Sequence, residues 1–432
     1  MRAIRTRLYN LLRWSQRYTR TDMVYLAKGG TWLSLAQGVA TLAGLALAVA
    51  LANLIPPEVY GQYKYITAAA AIVGAFTLTG LNSSIIQSVA RGFEGAFAEG
   101  VRTMFTWSAG IVVVALAAAG YYAYQENFTL ALSFLIIGMA VPVISSLSLY
   151  QGFLNGKKDF KTKAILSSVR RIVVVAATVS TVLFTQNPVL IVAAYFGSEA
   201  LMALALYSYV RWRYQPGDAR EQGSVAFSKH LSVMNILKMI GNRFDQILVF
   251  QQLGAVQLAT YAFALAPIKE LQTIDRTIAG IAYPKLSERS LPELQRTLPR
   301  KVFLLSLAML AVALCYIALA PHLFNLVFPQ YLEAIQYTQA LAILLVFAPQ
   351  ALYKKALTAH RRTHSLYMYD VSLPVLRISL GIPLLLLFNL WGVIIARIAS
   401  NAVSFFILHT LFMSKERGTP STNLAEDDSI SV

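Results

Sequence analysis

Runs of about 20 apolar residues recur along almost the whole chain, and a helix of that length spans a hydrocarbon core. Twelve such spans are predicted, at 29–54, 66–90, 103–123, 129–153, 165–185, 188–210, 229–252, 257–283, 302–322, 334–353, 370–388 and 391–412. Of the 432 residues 57% are hydrophobic and only 13% charged, against roughly 25% charged in soluble domains. A polytopic helical membrane protein is the class these numbers leave. The lone cysteine, Cys315, lies in an apolar helix and is expected to be a small buried hydrophobe. No disulfide framework or thiolate metal site can be built from one cysteine, and no metal or cofactor is expected.

The net charge of +17 first suggests nucleic-acid binding, but the placement of the basic residues argues otherwise. They gather in the termini and in alternate loops, namely NGKKDFKTK, RWRYQPGDAR, PKLSERSLPELQRTLPRK and YKKALTAHRRTHS. The opposite loops, among them QENF, TQNP and FNLWG, hold almost none, with Lys64 the exception. The positive-inside rule then places both termini and the basic loops in the cytoplasm, and nucleic acid drops out as a partner. Residues 1–28 read as a basic amphipathic segment on the membrane surface, with Leu8, Leu11, Leu12 and Trp14 entering the interface and Arg2, Arg5, Arg13 and Arg17 meeting anionic headgroups. The polar tail at 413–432 reads as disordered.

Charges inside spans are costly and mark functional paths or partners. They concentrate at 229–284. At 100° per residue Ser228, Asn235, Lys238, Asn242 and Gln246 share one face of the seventh span, with Arg243 and Asp245 flanking it. Lys269, Gln272, Thr273, Arg276 and Gly280 share a face of the eighth, while Glu270 and Asp275 point elsewhere. Arg377 and Arg397 add basic groups in the last two spans. The N-terminal half offers no comparable set, only Glu199 and the polar run Asn82, Ser83, Ser84, Gln87 and Ser88; Arg170 and Arg171 are taken to mark the cytoplasmic boundary of the fifth span.

Residues 56–68 (PPEVYGQYKYITA) align without a gap with 254–266 (GAVQLATYAFALA), matching Tyr63 with Tyr261 and Tyr65 with Phe263. This points to two repeated six-helix halves, 29–210 and 229–412, joined by a cytoplasmic linker at 211–228, with a site between them. The order of LIPPEVYGQYKYI, a second helix and GLNSSIIQSVARG resembles the N-terminus of bacterial oligosaccharide flippases. These form the Wzx-type branch of the multidrug/oligosaccharidyl-lipid/polysaccharide exporter superfamily. NRFDQILVFQQLGAVQLATYAFA looks like the start of the second half, and the likeness covers roughly residues 25–290. The resemblance implies an all-α membrane protein with two six-helix bundles around a central cavity. It also implies alternating access and a lipid-pyrophosphate-linked sugar as cargo, in a bacterial inner membrane and beside other polysaccharide-assembly proteins.

A pyrophosphate cannot cross hydrocarbon as a bare anion, and Arg and Lys are the side chains that bind phosphate oxygens. Lys238, Asn242, Arg243, Lys269, Gln272, Arg276, Arg377 and Arg397 are therefore the expected cargo-binding set. Asp245, Glu199, Glu270 and Asp275 are candidates for carrying a coupling ion. The plainer alternative is that Asp245 with Lys269, or Asp275 with Arg243, only ties helices together, while Lys238 and Arg276 snorkel to the interface. A cation-coupled drug exporter on the same fold remains the second functional reading; it would favour an acidic cavity. A membrane polymerase or glycosyltransferase fits less well, because the external loops are short. No P-loop is present, so this chain is not expected to use ATP directly.

Overall fold

The computed structural model describes residues 23–219, 224–360 and 362–414. Most of the expected surface segment and of the tail, and part of the linker, lie outside the described residues; 23–28 belong to the first helix. Everything within them is helix or short connection. The helices are α1 (Met23–Leu54), α2 (Pro57–Ala75), α3 (Leu81–Ala90), α4 (Ala96–Trp107), α5 (Ala109–Tyr124), α6 (Phe128–Leu147) and α7 (Tyr150–Gly156). Then follow α8 (Phe160–Phe184), α9 (Pro188–Tyr214), α10 (Ser224–Glu288), α11 (Leu291–Val327), α12 (Ala334–Leu341), α13 (Gln350–Ala359) and α14 (Thr363–Met413).

Eight stretches among the described residues are long and apolar enough to cross a membrane, and a bent pair of shorter helices ending in α13 makes nine. Two of the eight are double. α10 breaks at Gly254, whose φ of 85° and ψ of −179° belong to glycine alone, and α14 breaks at Asn389, with φ of 51°. Each break separates two antiparallel limbs, 224–253 from 255–288 and 363–388 from 390–413. The α2–α3 pair completes twelve crossings. It fails a hydropathy test because its first turns carry Glu58, Gln62, Lys64 and three tyrosines. The result is a two-lobed, all-helical membrane protein with six crossings in each lobe.

Several helices start earlier than expected, and two of those starts bear on the site. The second crossing begins at Pro57, not 66, because Pro56 is extended and Pro57 occupies the first helical turn, where its missing N–H is harmless. Lys64, expected in a loop, therefore lies inside a helix. The fifth crossing begins at Phe160, not 165, behind Asp159, whose carboxylate accepts from the Thr162 N–H at 3.0 Å as an N-cap. Arg170 and Arg171 consequently lie roughly 15 Å into α8 at 1.5 Å per residue. Cys315 is exposed, not buried; it lies on the face of α11 that also presents Leu304, Leu307 and Leu314 outward, as lipid-facing residues do.

The lobes meet most closely at the end whose connections lack basic residues, called here the neutral end. Tyr60 of α2 stacks on Phe263 at 4.4 Å and meets Tyr331 edge-on, while Tyr65 stacks on Phe250 at 3.9 Å. Gln251 donates to the hydroxyls of Tyr65 and Tyr122 at 2.9 and 2.6 Å. Beneath these rings the α2 backbone lies directly on the start of the second α10 limb, and a Cβ on Gly61 would stand 1.9 Å from the Ala255 carbonyl oxygen. Asn53 donates to the Val327 carbonyl at 3.0 Å and extends the seal. The two segments that align in sequence thus close the neutral end against each other.

Candidate functional site: a cationic seam between the lobes

Behind that seal the charged side chains of both lobes converge on one depth. Counting 1.5 Å per residue from the neutral end puts Lys64, Arg397, Asp245, Arg243, Glu199, Arg377, Arg171 and Lys269 roughly 10 to 22 Å in. That is around the middle of a hydrocarbon core about 30 Å thick.

In the second lobe Asp245 is 4% exposed. Arg397 pairs with it, and Tyr261 donates to it at 2.5 Å. The Arg397 guanidinium also donates to the Tyr261 hydroxyl at 3.1 Å, which closes a three-membered buried network. Asp245 therefore pairs with Arg397, 152 residues away, and not with Lys269. Arg377 lies in the field of both Arg397 and Asp245 and donates to the Gly241 carbonyl at 3.3 Å and the Asn242 amide oxygen at 3.5 Å. Gly241 and Asn242 also border a cavity of about 80 Å³ with Lys354, Asp370, Tyr369 and Pro374, room for a few waters but not for a sugar.

The first lobe contributes more than its sequence suggests. Glu199 accepts from the Arg170 Nε at 2.5 Å, and Arg170 also donates to Ser148 at 2.9 Å. Arg171, the next residue, turns toward Tyr195 and pairs with no carboxylate among the described residues. Lys64 lies over the Tyr60 ring at 5.1 Å and the Tyr63 ring at 5.9 Å. The expectation that the N-terminal half lacks a basic set is thus overturned, because helix starts misplaced by five to nine residues put these cations at a boundary.

Besides buried Arg377, four half-buried cations of the seam have no ion pair among the described residues: Lys64 and Arg171 in one lobe, Arg243 and Lys269 in the other. Arg243 reaches only the Gln246 amide oxygen, at 3.4 Å. Lys64 feels the charges of Arg243 and Arg171, and Lys269 feels Arg397, Arg243, Asp245 and Lys64. The cations form one chain across the interface. Repulsion at this depth is poorly screened, so the arrangement is suited to hold an anion between the lobes.

Of the other expected site residues, Gln272 contacts the Leu344 carbonyl within its own lobe at 3.5 Å, and Glu270 is exposed. The side chains of Lys238 and Arg276 lie outside the described residues. Asp275 is buried, and neither of its oxygens has a hydrogen-bond partner; it does not pair with Arg243.

Residues 26–290, well over half of the chain, match the family described as polysaccharide biosynthesis protein. The chain belongs to that family. No curated protein sequence matches it. Among solved structures, this polysaccharide biosynthesis protein resembles the lipid II flippase MurJ in an inward closed conformation, with a TM-score of 0.69 at 14% identity over 87% of this chain and 86% of that one. It also resembles an inward-facing multidrug resistance MATE family transporter of the MOP superfamily, with a TM-score of 0.65 at 15% identity over 86% and 93% of the two chains. A MOP superfamily transporter from Pyrococcus furiosus gives 0.58 at 15% identity over 89% and 95%. At these identities the likeness establishes the fold. The neighbours are transporters and a flippase rather than enzymes, and the family is described by its part in polysaccharide biosynthesis.

Proposed function

We propose that the protein is a flippase that carries lipid-linked oligosaccharide, joined through a pyrophosphate, from the cytoplasmic to the outer leaflet of a bacterial inner membrane. The observation that carries this reading is the seam of half-buried cations with no carboxylate partner among the described residues, Lys64 and Arg171 from one lobe and Arg243 and Lys269 from the other, near mid-membrane depth. An anionic headgroup would neutralise all four at once and would be the link that makes the lobes move together. Arg243 and Arg171 offer forked donors to phosphate oxygens, and Lys64 and Lys269 offer compact charges. Tyr63, Tyr195 and the neighbouring amides could meet sugar hydroxyls. Asp245 and Glu199 hold arginines in place in this scheme.

The basic connections point the linker and both termini to the cytoplasm, so the neutral end would face outward and be shut. The lobes, 29–210 and 229–412, would rock about the linker, and other polysaccharide-assembly proteins would supply and use the cargo. A MATE-like exporter of organic cations is the competing reading on this fold, and the sign of the seam speaks against it. For the Pyrococcus furiosus transporter, reverse polarity of the binding pocket is described as suggesting a different function.

The test is a reconstituted leaflet assay with a fluorescent polyprenyl-pyrophosphate sugar. Wild type should move the probe faster than empty vesicles, and Lys64→Ala with Arg243→Ala should abolish the difference while the protein still folds. Movement no faster than in empty vesicles under any imposed gradient, together with transport of an organic cation, would overturn the proposal in favour of the exporter.

A further inference from the structure

The second limb of α10 presents two distinct faces. Lys269 turns to the cationic seam. The opposite stripe is apolar: Ile268 belongs to the main core, and Ala279 and Leu286 to the core cluster near the basic end of the second lobe. Asp275 stands in that apolar stripe, at helical spacing from Ile268 and Ala279. It is 2% exposed, and both of its carboxyl oxygens are buried without a hydrogen-bond partner.

The described charged groups on this limb and on the elements packed against it are engaged elsewhere or exposed. On the limb itself Lys269 turns to the seam and Glu270 is exposed, and in α2, packed against its start, Lys64 lies over the Tyr60 and Tyr63 rings and Glu58 is exposed. In α13, Lys354 pairs with Asp370, and Lys355 lies over the Tyr283 ring at 5.4 Å. In α14, Arg377 donates to Gly241 and Asn242, Arg397 pairs with Asp245, and His409 meets the Tyr353 hydroxyl. No described cation forms an ion pair with Asp275. An ionised carboxylate with neither counter-ion nor donor is far costlier in such a place than the neutral acid.

We infer that Asp275 is a proton-binding site whose occupancy is linked to the position of the second α10 limb. With the neutral end shut, the side chain is an uncharged acid. It can ionise only when the limb shifts enough to admit water or a cation, at which point the O–H bond breaks and the proton passes to water. The same helix carries Ala255 and Phe263 at the seal and Lys269 in the seam, so its displacement couples all three places. By linkage the effect is reciprocal: a bound proton favours the closed seal, and closing the seal favours the bound proton. This holds whatever the cargo is.

The experiment uses the full chain in lipid nanodiscs with no cargo present. At neutral pH the infrared spectrum should contain the carbonyl stretch of a protonated carboxylic acid, and Asp275→Asn should lack it. Spin labels at Phe184 and Leu326, both highly exposed near the neutral end, placed in a Cys315→Ser background, report the seal. Their separation should increase as pH rises in the wild type and stay short at every pH in Asp275→Asn. An unchanged carbonyl band in Asp275→Asn, or a separation that keeps the wild-type pH response, would overturn the inference. Asp275→Glu serves if the amide variant fails to fold: it should retain both signals with a displaced midpoint, and an undisplaced midpoint counts against the site. Since no cargo enters the sample, the outcome is separate from that of the flippase reading.

Discussion

Gly61 is the position at which a single methyl group should change the conformational state of this protein. Its helix lies so close to the other lobe that an alanine Cβ would stand 1.9 Å from the Ala255 carbonyl oxygen and 2.5 Å from the carbonyl carbon. Both atoms are backbone, so no rotamer relieves the clash and the lobes must separate. Separation loses the Tyr60–Phe263 and Tyr65–Phe250 stacks and the two hydrogen bonds from Gln251. Taking about 0.5–1.5 kcal/mol for each stack and each hydrogen bond gives about 2–6 kcal/mol in favour of the open seal. That corresponds to roughly a thirty-fold to twenty-thousand-fold shift in the equilibrium. Within its own helix alanine is the better residue, so folding of the first lobe should survive. Spin labels at Phe184 and Leu326 should move apart in Gly61→Ala. Gly138→Ala, whose Cβ would press on Ala115 inside one lobe, should leave their separation unchanged. Wild-type label distances in Gly61→Ala would refute the reasoning, since they would mean that the contact yields without opening the seal.

Two further outcomes follow from the ion pairs. Arg397→Leu leaves Asp245 buried with only the Tyr261 hydroxyl and the Gln246 N–H as donors, and should cost about 3–5 kcal/mol. Adding Asp245→Leu should restore part of that loss, and thermal melting of the two variants checks the order. At the basic end, Glu94 accepts from Lys157 and from the Gly217 N–H at 3.2 Å, tying the start of the linker to the turn before α4. The Lys157 bond holds the Glu94 carboxyl below its ordinary range. Its contribution is therefore full above the unfolded value of about 4.3 and lost as pH falls through the lower folded value. Glu94→Gln should lower the melting temperature slightly at neutral pH, by at most about 1 kcal/mol of stability. The gap to wild type should close in acid; a gap that widens instead would contradict the assignment.

Much of this molecule is legible along the chain because the properties concerned are local. Membrane insertion depends on the apolarity of each successive stretch, and loop charge alternates with the crossings, so the helical class and the number of spans needed no tertiary information. The repeat at 56–68 and 254–266 also located the surfaces that close on each other. Angular placement separated Lys269 from Asp275 correctly, since helical geometry alone sets which residues share a face. What the chain could not reveal was how charges combine. Lys64 was hidden in a helix start too polar for hydropathy to detect, and Arg170 and Arg171 looked like a boundary because unpaired charges at depth are costly. Only the folded protein brings Glu199 to Arg170 and Asp245 to Arg397, across separate helices, and leaves Lys64, Arg171, Arg243 and Lys269 without such partners among the described residues. The balance of paired and unpaired charge is a sum over neighbours in space, and that sum decides both the sign of the seam and the isolation of Asp275.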